Sequence, residues 1–309
     1  MFETIGAPIS TFTTIFLGIF IEAAPFLLLG TVASGLVEVF VRREDMLRLM
    51  PRRALPATVV GAALGFAFPV CECGVVPLTR RLFAKGLPVS AGIAFLLAAP
   101  IINPIVIAST AAAYGWGPML LARISAGLLV SVGVGLVFSF SPSPAALLLP
   151  RPISPLPIMG GSGEATASPV EPPGSRLRRG LRIAGDEFFE MGRYLVAGSA
   201  LAALMQTLAP QSALTAIGSG PLASVLVMQA LAFVLSVCST VDAFISLSFL
   251  STFSAGSILA FLVFGPMVDI KSTLMFLGVF RRKTVAYLIA LPLLMTTLIA
   301  VFVNLNVRL

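Results

Sequence analysis

Apolar residues run through this chain in long blocks rather than in alternation. Four blocks span about 11–40, 55–83, 87–113 and 118–140. Four more span about 183–208, 221–253, 258–280 and 285–303. Unbroken runs of this length predict helices rather than strands, and roughly 20 apolar residues are enough to cross a bilayer as a helix. Between residues 139 and 180 the pattern stops, and Pro, Ser, Gly and Ala take over, as in Ser-Pro-Ser-Pro and Glu-Pro-Pro-Gly-Ser. Such a stretch cannot bury a core and reads as a flexible linker. The expected units are a first membrane repeat at 1–140, a linker at 141–181 and a second membrane repeat at 182–309.

The two hydrophobic parts resemble each other. Glu22 and Gly30 stand 168 positions before Glu190 and Gly198, and Val70-Cys71 stands 167 before Val237-Cys238. Ala94-Phe95-Leu96, Pro100 and Asn103 stand 166 before Ala260-Phe261-Leu262, Pro266 and Asp269. A nearly constant offset suggests an internal duplication.

Composition agrees with the pattern. Hydrophobic residues are 58% of the chain and charged ones 11%, against about 25% charged in soluble domains; mean hydropathy is +1.03. The start, Met-Phe-Glu-Thr, lacks the basic region of a cleaved signal peptide. The net charge of +7 does not point to nucleic acid, because Arg and Lys cluster at the ends of apolar runs. The clusters are Arg42 to Arg53, Arg80 to Lys85, Arg176 to Arg182 and Arg281 to Lys283. That is where the positive-inside bias places them, facing cytoplasm.

Eight plain crossings are the simplest count. The charges favour another: both loops flanking 55–83 are basic, so a segment with both ends in the cytoplasm must enter, turn and leave on one side. Pro69-Val70-Cys71-Glu72-Cys73-Gly74 and Pro77 supply a break there. The 14 residues from Leu55 to Phe68 reach about 21 Å as a helix, past the middle of a core of about 30 Å. The matching segment at 221–253 has flanks free of Lys and Arg, and its break is Ser236 to Asp242. The expected fold is therefore an all-α integral membrane protein of two inverted repeats. Each repeat has three transmembrane helices plus one re-entrant broken hairpin; the alternative is eight simple transmembrane helices. The linker would be cytoplasmic and both termini outside.

Inverted repeats with broken helices place a substrate site near the midplane. The residues expected to contact substrate are Cys71, Glu72, Cys73 and Gly74 at the first tip, and Cys238, Ser239, Thr240 and Asp242 at the second. Pro100, Asn103, Pro104, Pro266 and Asp269 complete the set from the Pro-interrupted crossings, where proline frees backbone carbonyls. Cys71, Glu72 and Cys73 form a candidate metal-binding trio, because thiolates bind soft centres; small cysteines packing a tight turn are the plainer explanation. Without histidine this is not a closed structural zinc site. Glu22 and Glu190, inside the first and fifth crossings, are candidates for proton coupling, since intramembrane acids mark ion pathways. Glu190 has Arg193 at i+3, a spacing that allows a simple pair. Asp269 and Lys271 can pair near a helix end, although two residues apart they diverge around a helix unless it is broken, and Arg123 is suited to snorkel or to neutralise a buried acid. No Walker motif or catalytic motif occurs, so no cofactor and no enzyme activity are expected.

The motifs Pro69 to Pro77, Arg80 to Gly86 and Ala98 to Pro104 resemble the predicted permeases of the YraQ type. That superfamily includes the ArsP methylarsenite efflux permeases and putative copper/zinc efflux proteins. The resemblance implies a multi-pass permease of the cell inner membrane and admits a partner membrane protein encoded beside it; a homo-oligomer is equally open. In the arsenical branch cysteines bind the trivalent substrate, and Cys71 and Cys73 are the matching residues. Glu72 between them departs from many relatives, and leaves the substrate open.

The leading expectation is a secondary-active exporter of a small thiophilic solute, metal or metalloid ion. A membrane-embedded thiol oxidoreductase, with Cys71 and Cys73 cycling through a disulfide, is the alternative from another class. A non-catalytic subunit of a membrane complex is the third.

Overall fold

The computed structural model describes residues 2–306 apart from 45, 47–49, 52, 69, 141–143, 150–172 and 209–219. Most of the expected linker, together with Pro69, Arg48 and Arg52, lies outside the described residues. Among those described, the chain is a succession of helices without a strand. Before the linker come α1 (Phe2–Phe40), α2 (Ala54–Ala67), α3 (Glu72–Ala84), α4 (Val89–Ile102), α5 (Pro104–Tyr114) and α6 (Pro118–Phe138). A short α7 (Pro144–Leu147) follows. Then come α8 (Pro173–Leu208), α9 (Pro221–Leu235), α10 (Asp242–Leu247), α11 (Ala255–Met267), α12 (Ile270–Val279) and α13 (Arg282–Asn306). Helix α8 starts inside the stretch whose composition reads as linker.

Among the described residues, five helical stretches are long and apolar enough to cross a membrane: Ile9–Phe40, Val89–Tyr114, Pro118–Phe138, Ala255–Val279 and Arg282–Asn306. The protein is thus an all-helical, multi-pass membrane protein. Helix α8 is not among the five, because Arg and acidic residues occupy its first half. Helices α2 and α9 are apolar but only 14 and 15 residues long, too short for a hydrocarbon core of about 30 Å at 1.5 Å per residue.

The breaks have local causes. Proline disfavours the helical region for the residue before it, so Asn103, before Pro104, takes φ −58°, ψ 133° and ends α4. Its side chain then accepts the Ile105 N–H at 2.9 Å and caps α5. Between α11 and α12, Val268 and Asp269 are extended, and Asp269 forms a capping box with Ser272. Pro100 and Pro266 stay inside α4 and α11. The interruptions therefore fall at Asn103 and at Val268–Asp269, not at those two prolines. Ser236, with φ 48°, ends α9 in the left-handed region, a costly conformation for a non-glycine residue; its hydroxyl offsets part of this by accepting the Ile270 N–H at 3.1 Å.

Helices α4 and α11 form the centre. Every residue of α4 is buried, and it packs on α2, α6 and α11. Close approach comes from small residues, as expected where lipid removes the hydrophobic drive between helices. Gly61 of α2 lies on Ala91, and Gly65 on Ala98 and Ala99. Rising numbers on both sides mean that α2 and α4 run in the same direction. Ser224 with Ser257, and Ala232 with Gly265, give the same parallel relation to α9 and α11. Helices α1 and α8 run antiparallel, since Ile19 packs with Ala202 while Gly35 lies against Gly180.

The basic clusters gather at one end. Arg81 pairs with Glu38 and Glu187, Arg80 with Glu190 at 2.8 Å, and Lys85 with Glu38 at 3.3 Å. Phe83 meets Phe280, and the Arg281 guanidinium donates to the Leu148 carbonyl.

A Cβ on Gly30 would run into the backbone of Gly74, whereas one on Gly18 meets open space. Gly30→Val should therefore cost about 1–3 kcal/mol of stability through overpacking. Gly18→Ala should be neutral or mildly stabilising. Thermal unfolding of the two variants in detergent checks this.

Candidate functional site

The thiols converge where the two interrupted segments meet. Cys71 is the N-cap of α3, in extended backbone, and its carbonyl accepts the N–H groups of Gly74 and Val75. One sulfur, one carboxylate oxygen and a second sulfur from Cys71, Glu72 and Cys73 lie within 4.8 Å of one another, all buried. Cys238, from the break between α9 and α10, brings its thiol within hydrogen-bonding reach of Cys71. The Thr240 hydroxyl donates toward the Cys238 sulfur at 3.6 Å. All three cysteines are free and buried.

An ionic cluster adjoins them. Lys271, in the first turn of α12, is 1% exposed. Its ammonium stands 3.3 Å from Glu72 Oε1 and 3.5 Å from Asp269 Oδ2. Glu22, half-buried on α1, lies in the field of Lys271 and close to the Cys238 backbone N–H. Three acids thus face one lysine. Glu22 Oε1 and Glu72 Oε2 are buried without a hydrogen-bond partner among the described residues. Buried carboxylate oxygens are rarely left so, and the surplus of acceptors suits a cation or protons.

A second buried pair lies toward the other face. Arg123, on α6 and 1% exposed, donates to Asp242 Oδ2 at 2.7 Å and to the Thr110 hydroxyl at 2.7 Å. A longer contact of 3.4 Å reaches the Ser239 carbonyl. Nearby, the Tyr114 and Ser246 hydroxyls are 2.7 Å apart, tying α5 to α10. Each tip acid is therefore neutralised from beyond the linker: Glu72 by Lys271, and Asp242 by Arg123.

The model of the ArsP_1 family, described as "Predicted permease", matches residues 9–305. The chain belongs to this family of predicted permeases. It is similar to "UPF0718 protein YcgR" of Bacillus subtilis, 46% identical over 278 residues, which covers 89% of this chain and 91% of the relative. It is also similar to a "Putative two-component membrane permease complex subunit" of Streptococcus mutans, 39% identical over 271 residues and 87% of each chain. "UPF0718 protein YraQ" of Escherichia coli matches more narrowly, 24% over 102 residues, which is 33% of this chain and 29% of the relative. No solved structure matches the chain.

Within this permease, not every expected residue comes to the thiols. Cys71, Glu72, Cys73, Cys238, Asp269 and Glu22 adjoin one another. Asn103 and Asp269 take like roles as helix caps, and the Asn103 amide also donates to the Val70 carbonyl at 3.3 Å. Gly74 is spent on the contact with Gly30. Pro104 is exposed, while Pro100 and Pro266 are buried within their helices. Ser239 and Asp242 belong with Arg123.

One pairing differs from expectation, and one that depended on a broken helix is formed. Glu190 meets Arg80 rather than Arg193, whose guanidinium lies 4.8 Å from the Tyr194 ring. Glu190 thus joins the ion pairs at the basic end, away from the thiols, because α3 presents a closer cation than its own helix does. Lys271 and Asp269 meet because Asp269 is the extended N-cap of α12, outside the helix, so the angular separation of a helix does not apply. Lys271 is the site residue that sequence reading passed over. The signal was its place beside a break, two residues after Asp269, the counterpart of Asn103 at the 166-residue offset.

Removing Arg123 alone strands Asp242 in a low-dielectric interior. Arg123→Leu should cost about 3–5 kcal/mol, and the double variant Arg123→Leu/Asp242→Leu should regain most of it. Thermal melts of the purified single and double variants test the pair.

Proposed function

We propose that this permease is a secondary-active exporter of a small thiophilic solute, a metal or metalloid ion, in the cell inner membrane. The convergence of Cys71, Cys73 and Cys238 beside Glu72 carries the reading. Three thiols from two different breaks make a soft, water-poor donor set. The adjoining acids give it the charge to bind cations or exchange protons.

The proposed architecture is two inverted repeats, 1–140 and 182–309, joined by a cytoplasmic linker at 141–181. Each has three crossings and one re-entrant segment, with both termini outside. Several observations support it. Helix α2 runs parallel to α4, and α4 starts where α3 ends, so α2 begins and α3 finishes at the same end. Helices α9 and α11 repeat that relation. Packing of α5 on α10 is matched by packing of α12 on α3, the exchange expected of two repeats facing opposite ways. The gathering of Arg80, Arg81, Lys85 and Arg281 at one end agrees with a cytoplasmic face. Helix α8 would be the sixth crossing, antiparallel to α1. The name of the Streptococcus mutans relative supports a partner membrane protein.

Everted membrane vesicles with an acidic interior should accumulate Cd2+ or methylarsenite when they contain the protein. Cys71→Ser should reduce the initial rate at least about tenfold, because a hydroxyl is a poor ligand for soft centres. Uptake unchanged by Cys71→Ser and by Cys238→Ser would reject the thiol site.

A further inference from the structure

We propose that Lys271 is a tethered stand-in for the transported solute. Its ammonium occupies the place of a cation when the site is empty, and a cationic solute must displace it. This rests on the reading of the thiols as the solute's ligands, and it narrows the solute to a soft cation.

Four observations lead there. Lys271 is in the first turn of α12, the end of a helix that repels positive charge, so its position depends on the acids around it. Those acids exceed it in number. Glu72, its partner at 3.3 Å, is also the carboxylate of the thiol trio, so lysine and a cation on the thiols compete for one group. Finally, the contacts are loose. Distances of 3.3 and 3.5 Å exceed the 2.7–2.9 Å of a strong charge-assisted bond, while Arg123 holds Asp242 at 2.7 Å and Thr110 besides. A guanidinium is preorganised for such a clamp, whereas an ammonium on a four-carbon stem can swing. The Lys271 backbone is held against Gly198 of α8, so the stem moves and the helix need not.

In the empty state Lys271 shares its one positive charge between Glu72 and Asp269. When a divalent cation seats on Cys71, Cys73 and Glu72, the two thiol protons leave to solvent, and Lys271 releases Glu72 and keeps Asp269. Both states then bury the same net charge, and both can reorient. The lysine stays charged throughout, and no bond is made or broken in it.

The experiment compares wild type with Lys271→Met in detergent, titrating separately with Cd2+ and with methylarsenite, a neutral probe of the same thiols. Cd2+ should bind the variant about tenfold tighter or more, because a positive charge within a few ångströms is gone. Methylarsenite should bind both proteins alike. In proteoliposomes the variant should keep Cd2+/Cd2+ exchange and lose net Cd2+ efflux, since its empty site carries uncompensated acids. Equal or weaker Cd2+ binding in the variant, or an equal shift for both probes, overturns the proposal. Methylarsenite binding without Cd2+ binding in wild type leaves the permease reading standing and removes this one; binding of neither removes both. Should Lys271→Met fail to fold, Lys271→Arg replaces it. A guanidinium grips Glu72 harder and weakens Cd2+ binding, and an unchanged affinity there overturns the idea.

Discussion

A backbone interrupted at membrane depth must satisfy its own polar groups, because hydrocarbon offers no water to do so. Much of this molecule follows from that constraint. Asn103 caps α5 and reaches back to the Val70 carbonyl. Asp269 and Ser272 cap α12 reciprocally. Ser236, in a strained conformation, accepts the Ile270 N–H. Gln206 of α8 donates to the carbonyls of Val234 and Leu235 at the open end of α9. The breaks are thus stitched to one another, and the stitching fixes where the thiols and acids can stand.

Charge is distributed in two manners over this frame. At the basic end, Arg80, Arg81 and Lys85 meet Glu38, Glu187 and Glu190 in partly exposed pairs, where screening keeps each contribution small. Deep inside, Arg123–Asp242 and Lys271–Glu72 are almost wholly removed from solvent. Buried pairs seldom add net stability over an apolar replacement. Their retention here is therefore better explained by what they do for a permease than by holding the fold. The clamp at Arg123 joins two parts of the chain, and the longer contact at Lys271 holds Glu72 less tightly.

The helical membrane class was legible from run length and charge content alone, and so were the sites of interruption, to within a few residues. Pro104 ends its helix because it restricts the residue before it. Pro100 and Pro266 do not end theirs, since freed carbonyls inside a packed helical core can be satisfied locally. What sequence could not supply was partner choice across long separations. The i,i+3 rule offered Glu190 to Arg193, yet Arg80, 110 positions away, is nearer in space. Lys271 with Glu72, 199 positions apart, has no local signature. The start of α8 at Pro173 was also hidden, because Arg, Gly and Ser there look like linker by composition although they extend an amphipathic helix.

The three cysteines are all the sulfhydryls the chain has, and every one lies in the same buried spot. The unaltered protein is therefore its own single-address probe. A membrane-impermeant thiol reagent added on one side, whether an alkylating agent, a fluorophore or a spin label, must react there if it reacts at all, with no background from elsewhere on the surface. Its rate of reaction measures how often the interior opens, and from which side of the membrane.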